Sequence, residues 1–226
     1  MLIDKDTQVC ISIAKCAGNF GTRLHNKAFH KKGLNFLYKA FSVDDLQGAI
    51  CAIRALGIRG AGVTMPYKTQ VLEHIDELSE STKHTGAANT IVNNGGVLKA
   101  YNTDTFSSKI LLKEAVQITG YDKLFILGRG GFSKAVEYSA KNISLFIDYI
   151  DRTNWAEISK IKEAIIFNCT PVSNIESLCH ESVYFIDCLT NTGSGSRLAV
   201  LQASKQFKLY TGHDFPFSIV DDVLHE

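Results

Sequence analysis

Residues 123–142 read KLFILGRGGFSKAVEYSAKN, and the reading of that stretch decides the fold. Lys123 to Leu127 form an apolar run that suits a strand buried on both faces. Gly128, Gly130 and Gly131 follow as a G-x-G-G turn, and a helix begins behind them. Glycines let the backbone approach a pyrophosphate closely. The start of a helix adds unpaired N–H groups and the positive end of its dipole. The next apolar run, ISLFIDYI, ends in Asp151-Arg152-Thr153, where a dinucleotide-binding fold reads the adenosine ribose. AIIFNCTP and SVYFIDCL supply two more apolar strands. Strand, glycine turn, helix, strand and charged tip in this order predict a nucleotide-binding unit.

Working outward, FSSKILLKEAVQITG reads as a helix that opens this unit near Thr105. The preceding half alternates strand and helix. QVCISIA, LNFLYKAFS and IRGAGVTM read as strands, and NFGTRLHNKAFHKKG as a helix. VDDLQGAICAIRALG is a second helix, with Leu46, Ile50, Ile53 and Leu56 at helical spacing and Gly57 closing it. A third helix is expected through TQVLEHIDELSE, ending near Ser81. NTIVNNGGVLKAYNTD then holds two short β-runs around Asn94-Gly95-Gly96, a good hairpin turn. Such alternation implies a largely parallel sheet covered by helices, hence an α/β protein.

Composition narrows the function. The chain has 226 residues, 45% hydrophobic and 21% charged, which suits a folded globular protein of one large or two small domains. A net charge of +1 creates no field that would draw nucleic acid or anionic membrane. No apolar run approaches a membrane span, and MLIDKDTQVC lacks a signal peptide's apolar segment. The six cysteines show no CxxC and no metal spacing. They are expected mostly in apolar surroundings, in a reducing cytoplasm. VTMPYK, Val63 to Lys68, raises a separate question, because Pro66 ends a buried strand and a lysine follows at once.

Several motifs together resemble the shikimate dehydrogenase family, closest to its divergent shikimate-dehydrogenase-like branch. VTMPYK resembles the family's V-T-x-P-[FY]-K, GAANTIV its G-A-x-N-T, and YNTD its N-T-D. LGRGGFSKAV is similar to G-x-G-G-x-x-x-A, DRT to N-R-T, and FNCTP to N-x-T-[SP]. GSGSRLAVLQA is similar to G-x-x-M-x-x-x-Q-A. They occur in family order across nearly the whole chain. The resemblance implies a substrate domain of residues 1–104 plus 194–226, and a Rossmann-type nucleotide domain of residues 105–193. It implies an NAD(P)-dependent oxidoreductase of aromatic amino acid biosynthesis, as monomer or homodimer. Lys68 matches the catalytic lysine and Asp104 its partner, a pair that can stabilise an alkoxide and relay its proton. Asn89 and Gln202 match amides that offer both donor and acceptor to ring hydroxyls, and Thr64 matches a substrate-contacting hydroxyl. Gly128, Gly130, Gly131, Asp151, Arg152, Thr153, Asn168, Thr170 and Gly195 match cofactor-binding positions. His25 and Asn26 read as structural.

Three departures qualify the match. The family's first loop is S-x-S-P-x-x-H-N, its serines binding the substrate carboxylate. Here NFGTRLHN puts Asn19 and Gly21 in their place, with Asn19, Thr22 or Arg23 left to compensate. Only NWAEISKIKEA separates Thr153 from the strand IIFNCTP, too little for a full helix and strand. FIDCLTNTGSGS lacks the helix and strand that normally precede the Gln-bearing helix. A nucleotide domain trimmed at both edges is therefore expected. A carboxylate at Asp151 favours a free 2′-hydroxyl, whereas Arg152 and Thr153 favour a 2′-phosphate. Asp151 paired with Arg152, or facing away, would soften its repulsion, so the cofactor expected is NADP, with NAD as the alternative. The function expected is interconversion of shikimate, or a related cyclic hydroxy acid such as quinate, with its 3-dehydro ketone. The alternative is a weak or inactive relative that binds a small ligand or a protein partner.

Overall fold

The computed structural model describes residues 3–224. Residues 1, 2, 225 and 226, which the expected substrate domain includes, lie outside the described residues. The chain divides into two units. One comprises the residues through Thr103 together with those from Ala203 onward, and the other is Asp104–Gln202.

The first unit opens with β1 (Gln8–Ala14), α1 (Phe20–Lys31), β2 (Phe36–Ser42), α2 (Leu46–Ala55) and β3 (Gly60–Val63). It continues through β4 (Glu77–Leu78), α3 (Glu80–Thr85), β5 (Thr90–Asn94) and β6 (Val97–Tyr101). The strands order as β2-β1-β3-β5-β6-β4. β1 runs parallel to β2 and β3, while β5 runs antiparallel to β3 and to its hairpin partner β6. Ile11, Ile13, Ile53, Val63, Ile91 and Leu98 fill the core. Asp45 starts α2 by accepting from Gly48 N at 2.8 Å, and Ile50 and Ile53 form its buried stripe. Asn26 of α1 donates Nδ2 to Tyr38 O and accepts from Tyr38 N, both at 2.8 Å. An edge strand needs such partners for its outer backbone groups, and Asn26 supplies them to β2.

The expected helix over TQVLEHIDELSE does not form. A 3-10 turn spans Gln70–His74, β4 follows, and α3 is only six residues long. Asp76 explains the change. Its N–H donates to Leu98 O at 3.1 Å, and its Oδ2 accepts from Leu98 N and Arg54 Nη1, both at 2.7 Å. Ser79 N then donates to Ala100 O at 2.9 Å, and Ser79 Oγ caps α3 at Thr82 N. Helix propensities differ by only about 0.7 kcal/mol per residue among ordinary side chains, so pairing along β6 decides the conformation.

The second unit contains α4 (Asp104–Thr119), β7 (Lys123–Leu127), α5 (Gly131–Lys141), β8 (Phe146–Ile150), β9 (Ile165–Asn168) and β10 (Tyr184–Asp187). Its sheet is wholly parallel, in the order β10-β9-β7-β8, over a core that includes Leu112, Leu124, Ile126, Val136, Ile165 and Phe167. The trimming is visible in the connections. Only a 3-10 turn, Trp155–Lys160, lies between β8 and β9, and β10, which ends at Asp187, passes directly to a helix that starts at Gly193. β8 is left as a sheet edge, so a missing neighbour beyond it opens no core. The fold is thus α/β, with a parallel-rich substrate-type unit and a shortened Rossmann-type unit.

The helix α6 (Gly193–Thr211) belongs to the second unit as far as Gln202 and to the first from Ala203. The return expected at residue 194 therefore falls at the start of this helix, while membership changes nine residues later, at Ala203. In the first unit, the Tyr210 ring takes the space a side chain on Gly60 would need. The short α7 (Val220–Leu224) follows. All six cysteines are free, but only Cys10 is fully buried. Cys16 lies in the loop after β1 and Cys51 on the outer face of α2, both exposed, contrary to the expected apolar surroundings. Among the described residues no helix is long and apolar enough to cross a membrane.

Candidate functional site

In the first unit the chemistry gathers where β3 ends. Thr64 N donates to Ile13 O at 3.2 Å, and Tyr67 N turns back onto Thr64 O at 2.9 Å. Tyr67 Oη donates to Val43 O at 2.5 Å, which holds the turn against the loop after β2. The Lys68 carbonyl accepts from Ala88 N at 2.7 Å, and Val63 N donates to Asn89 O at 2.8 Å. Thr64, Lys68 and Asn89 are thereby brought to one end of the sheet. Thr64 is exposed, Lys68 half-buried and Asn89 buried.

The sequence leads one to expect that Asn89 offers a ligand both donor and acceptor. Its Oδ1 instead accepts from Thr103 N at 2.8 Å, Thr90 Oγ1 at 2.9 Å and Thr103 Oγ1 at 3.1 Å. An amide oxygen has two lone pairs, so three donors saturate it. Gln206, which no motif in the sequence singles out, supports this arrangement. Its Nε2 donates to Asn89 O at 3.2 Å and to Thr90 Oγ1 at 3.1 Å. The one available signal is its place a helical turn beyond Gln202. Gln202 itself is half-buried.

His25 faces Gln206, with Nε2 3.4 Å from Oε1, and stacks on Tyr38 at 4.4 Å between ring centroids. Burial pushes its pKa down to about 4, so the ring is neutral and donates through Nε2. It packs and orients, as does Asn26. Thr22 lies in the first turn of α1 with its Oγ1 buried and without a partner among the described residues. Asn19 is exposed, and its side chain makes no capping bond to α1.

In the second unit, Asp104 is the buried first residue of α4. Its charge is among the influences, after burial and Cys188, that raise the Cys169 thiol. Cys169 helps line a cavity of about 750 Å³, whose wall includes Gly128, Gly130, Asp151, Arg152 and Thr170. Gly128 has φ +89°, and a side chain there would also crowd Thr170 Cγ2. A side chain on Gly130 or Gly131 would meet nothing within 4 Å, so the space over the start of α5 is open. No side chain caps that eleven-residue helix. An open cavity over uncapped N–H groups fits a dinucleotide's phosphates.

The remaining expected cofactor residues divide. Asn168 is fully buried. Its Oδ1 accepts from Thr170 N at 2.9 Å and Thr170 Oγ1 at 2.7 Å. Its Nδ2 donates to Val172 O at 3.0 Å and Asp187 Oδ1 at 3.1 Å. Asn168 therefore shapes the cavity wall from behind by holding Thr170, which lines it. A side chain on Gly195 would overlap the Leu189 carbonyl, so packing against the loop before α6 accounts for that glycine.

Asp151 does not pair with Arg152. Its Oδ1 accepts from Thr153 N at 2.9 Å and Thr153 Oγ1 at 2.6 Å, and its Oδ2 lies 3.2 Å from Arg129 Nε. Those contacts, the Thr153 hydroxyl foremost, hold its carboxyl down at about 2. The Thr153 hydroxyl, expected to donate to a ribose phosphate, is committed to Asp151. Arg152 is exposed and makes no hydrogen bond or ion pair among the described residues.

A family model, the shikimate dehydrogenase substrate binding domain, matches residues 20–91. A quinate/shikimate dehydrogenase of Escherichia coli O17:K52:H18 is 32% identical over 264 residues, covering 89% of this chain and 90% of that protein. This chain belongs to the shikimate dehydrogenase family. A shikimate dehydrogenase-like protein of Haemophilus influenzae is 44% identical over 141 residues, 62% of this chain; the match spans about half of that relative, 52%. Among solved structures, the shikimate 5-dehydrogenase-like protein HI0607 matches with a TM-score of 0.86 at 30% identity, covering 99% of this chain and 98% of the other. A shikimate dehydrogenase in complex with NADP+ matches with a TM-score of 0.86 at 25% identity, covering 99% and 96%. Within the shikimate dehydrogenase family, this chain is shorter than that Escherichia coli relative. The 264 aligned positions exceed its 226 residues, so the Escherichia coli relative carries segments absent here.

Proposed function

We propose that this protein is an NADP-dependent dehydrogenase. It interconverts shikimate, or a related cyclic hydroxy acid such as quinate, with the 3-dehydro ketone. The observation that carries this reading is the convergence of Thr64, Lys68 and Asn89 at one end of the first unit's sheet, each placed by backbone hydrogen bonds. Two motifs separate in sequence, VTMPYK and GAANTIV, thereby bring a lysine, a hydroxyl and an amide together there.

Bound NADP supplies the acceptor for the hydride that leaves the carbinol carbon. Lys68 holds the substrate oxygen and stabilises the alkoxide charge that develops on it, and Asp104 shares the proton. Asn89 serves a ring hydroxyl, Thr64 offers its hydroxyl and Gln202 serves a second ring hydroxyl. Asn19 and Thr22, at the start of α1, serve the carboxylate. Gly128, Gly130 and Gly131 receive the diphosphate, and Arg152 the adenosine ribose.

The test is nicotinamide reduction over a panel of shikimate, quinate and amino-shikimate with each cofactor. Lys68→Ala should lower kcat by about a thousandfold or more, roughly 4 kcal/mol of transition-state stabilisation, with NADP+ affinity nearly intact. Near-normal turnover by that variant removes Lys68 from the mechanism. A wild-type protein inert toward the whole panel favours the ligand-binding or partner-binding alternative.

A further inference from the structure

Arg129 stands between Gly128 and Gly130, in the turn that borders the cavity. Its guanidinium carbon lies 4.5 Å from the centroid of the Tyr149 ring, and its Nε contacts Asp151 Oδ2. Tyr149 is itself anchored, Oη donating to Glu137 Oε2 at 2.8 Å. Stacking and the Nε contact orient the planar fork, and neither Nη makes a hydrogen bond among the described residues. The cavity wall thus holds two guanidinium groups, Arg129 and Arg152, around one carboxylate. That carboxylate is occupied on both oxygens.

We propose that Arg129 is a specificity-determining residue, taking the 2′-phosphate of the adenosine ribose together with Arg152, and that Asp151 orients Arg129 instead of reading a free 2′-hydroxyl. The inference rests on the dinucleotide reading of the second unit. A phosphate accepts the two parallel donors of an arginine fork, which a hydroxyl cannot do. An aspartate that selects NAD must present an accepting oxygen and an unopposed negative charge to the ribose. Here Oδ1 takes two donors from Thr153, and Arg129 engages Oδ2 and opposes its charge. With the Thr153 hydroxyl turned to Asp151, Arg129 supplies the donors that Thr153 does not.

Calorimetric titration of the full chain with NADP+ and with NAD+ tests this without requiring turnover. Wild type should bind NADP+ more tightly. Arg129→Ala should raise the NADP+ dissociation constant about tenfold or more, and leave that for NAD+ unchanged or lower, because Asp151 Oδ2 loses its opposing charge and can accept the 2′-hydroxyl. Arg129→Lys should fall between, keeping the charge and losing the fork. Arg152→Ala should weaken NADP+ with no gain for NAD+. Any NAD+ gain in Arg129→Ala should vanish when Asp151→Asn is added. Titration with 2′,5′-ADP and 5′-AMP should repeat the NADP+ and NAD+ patterns. The Arg129 side chain is 62% exposed, so the fold should survive, and a thermal melt of each variant verifies it. Equal losses for both cofactors in Arg129→Ala, or an unchanged NADP+ constant, overturn the proposal. A wild type that binds neither dinucleotide overturns it together with the site reading. A wild type selective for NADP+ that reduces with no hydroxy acid, and whose Arg129→Ala loses that selectivity, upholds the inference while the proposed activity falls.

Discussion

Around Asn89 nearly every polar atom is buried and engaged, whereas around Asp151 the charged groups stand in solvent. Asn89 is 3% exposed, with Thr90 and Thr103 buried beside it and Gln206 closing the ring of contacts. At the nucleotide cavity the side chains of Arg129 and Asp151 are 62% and 34% exposed, and Arg152 is fully outside the core. The contrast matches what each place has to bind. Neutral ring hydroxyls are told apart only by donors held still, which needs a buried, saturated network. Phosphates are attracted over distance by charge, so exposed arginines in and beside a glycine turn suffice. A substitution in the first region should therefore cost stability, and one in the second should cost affinity.

The largest effect should come from Asn89→Ala. It strips the acceptor from Thr103 N, Thr103 Oγ1 and Thr90 Oγ1 in a buried setting. At about 1–3 kcal/mol for each stranded donor, a loss of roughly 4 kcal/mol in unfolding free energy is expected. Arg152→Ala should stay within about 0.5 kcal/mol of wild type. Urea titration of the two variants compares them directly, and similar midpoints would break the contrast.

A pH series sharpens it at intermediate size. His25 titrates at about 4 when folded, against about 6.5 when unfolded. In that window the unfolded chain binds the additional proton, so stability is full above about pH 6.5 and declines as pH falls toward 4. From pH 7 to pH 5 the expected loss from this group is about 2 kcal/mol. Asp151, held at about 2, keeps its charge throughout and adds no slope. His25→Phe should flatten the dependence of the urea midpoint on pH over this range. An equally steep variant would show that the buried imidazole is not its source.

The smallest effect concerns the start of α1. Restoring the family's two serines, as Asn19→Ser with Gly21→Ser, should lower the KM for shikimate by about threefold to tenfold through added hydroxyl–carboxylate bonds. A side chain at position 21 meets the Tyr38 ring at 3.6 Å, an ordinary contact, so the fold should accept it. An unchanged or higher KM would mean that this loop does not hold the carboxylate.

Much of the nucleotide unit is legible in the order of its residues. The apolar run Lys123 to Leu127, the glycines behind it and the run into Asp151 specify strand, turn and strand locally, because burial and permitted backbone angles act within a few residues. The shortened crossings follow from counting residues, since 11 between Thr153 and Ile165 cannot hold a helix and a strand. Lys68 stands out because Pro66 ends a strand immediately before it. The segment after it misleads, because the partner that straightens Asp76 is Leu98, 22 residues away. Gln206 and Arg129 give no local signal for the same cause, their meaning lying in Asn89, 117 positions off, and Asp151, 22 positions off.

The sequence by itself determined the alternation of strands and helices, the family, and which residue types stand at strand ends. Those are properties of short stretches, where periodicity, glycine and proline act directly. Only the tertiary structure decided what each polar atom has left to give. Asn89 and Asp151 look equally available in the chain, yet the first has its oxygen filled by Thr90 and Thr103, and the second has Oδ1 filled by Thr153 and Oδ2 engaged by Arg129. A side chain's free donors and acceptors are what remains after its neighbours in space have been satisfied. Folding chooses those neighbours through burial and backbone pairing between distant segments, so no local pattern of residues contains them.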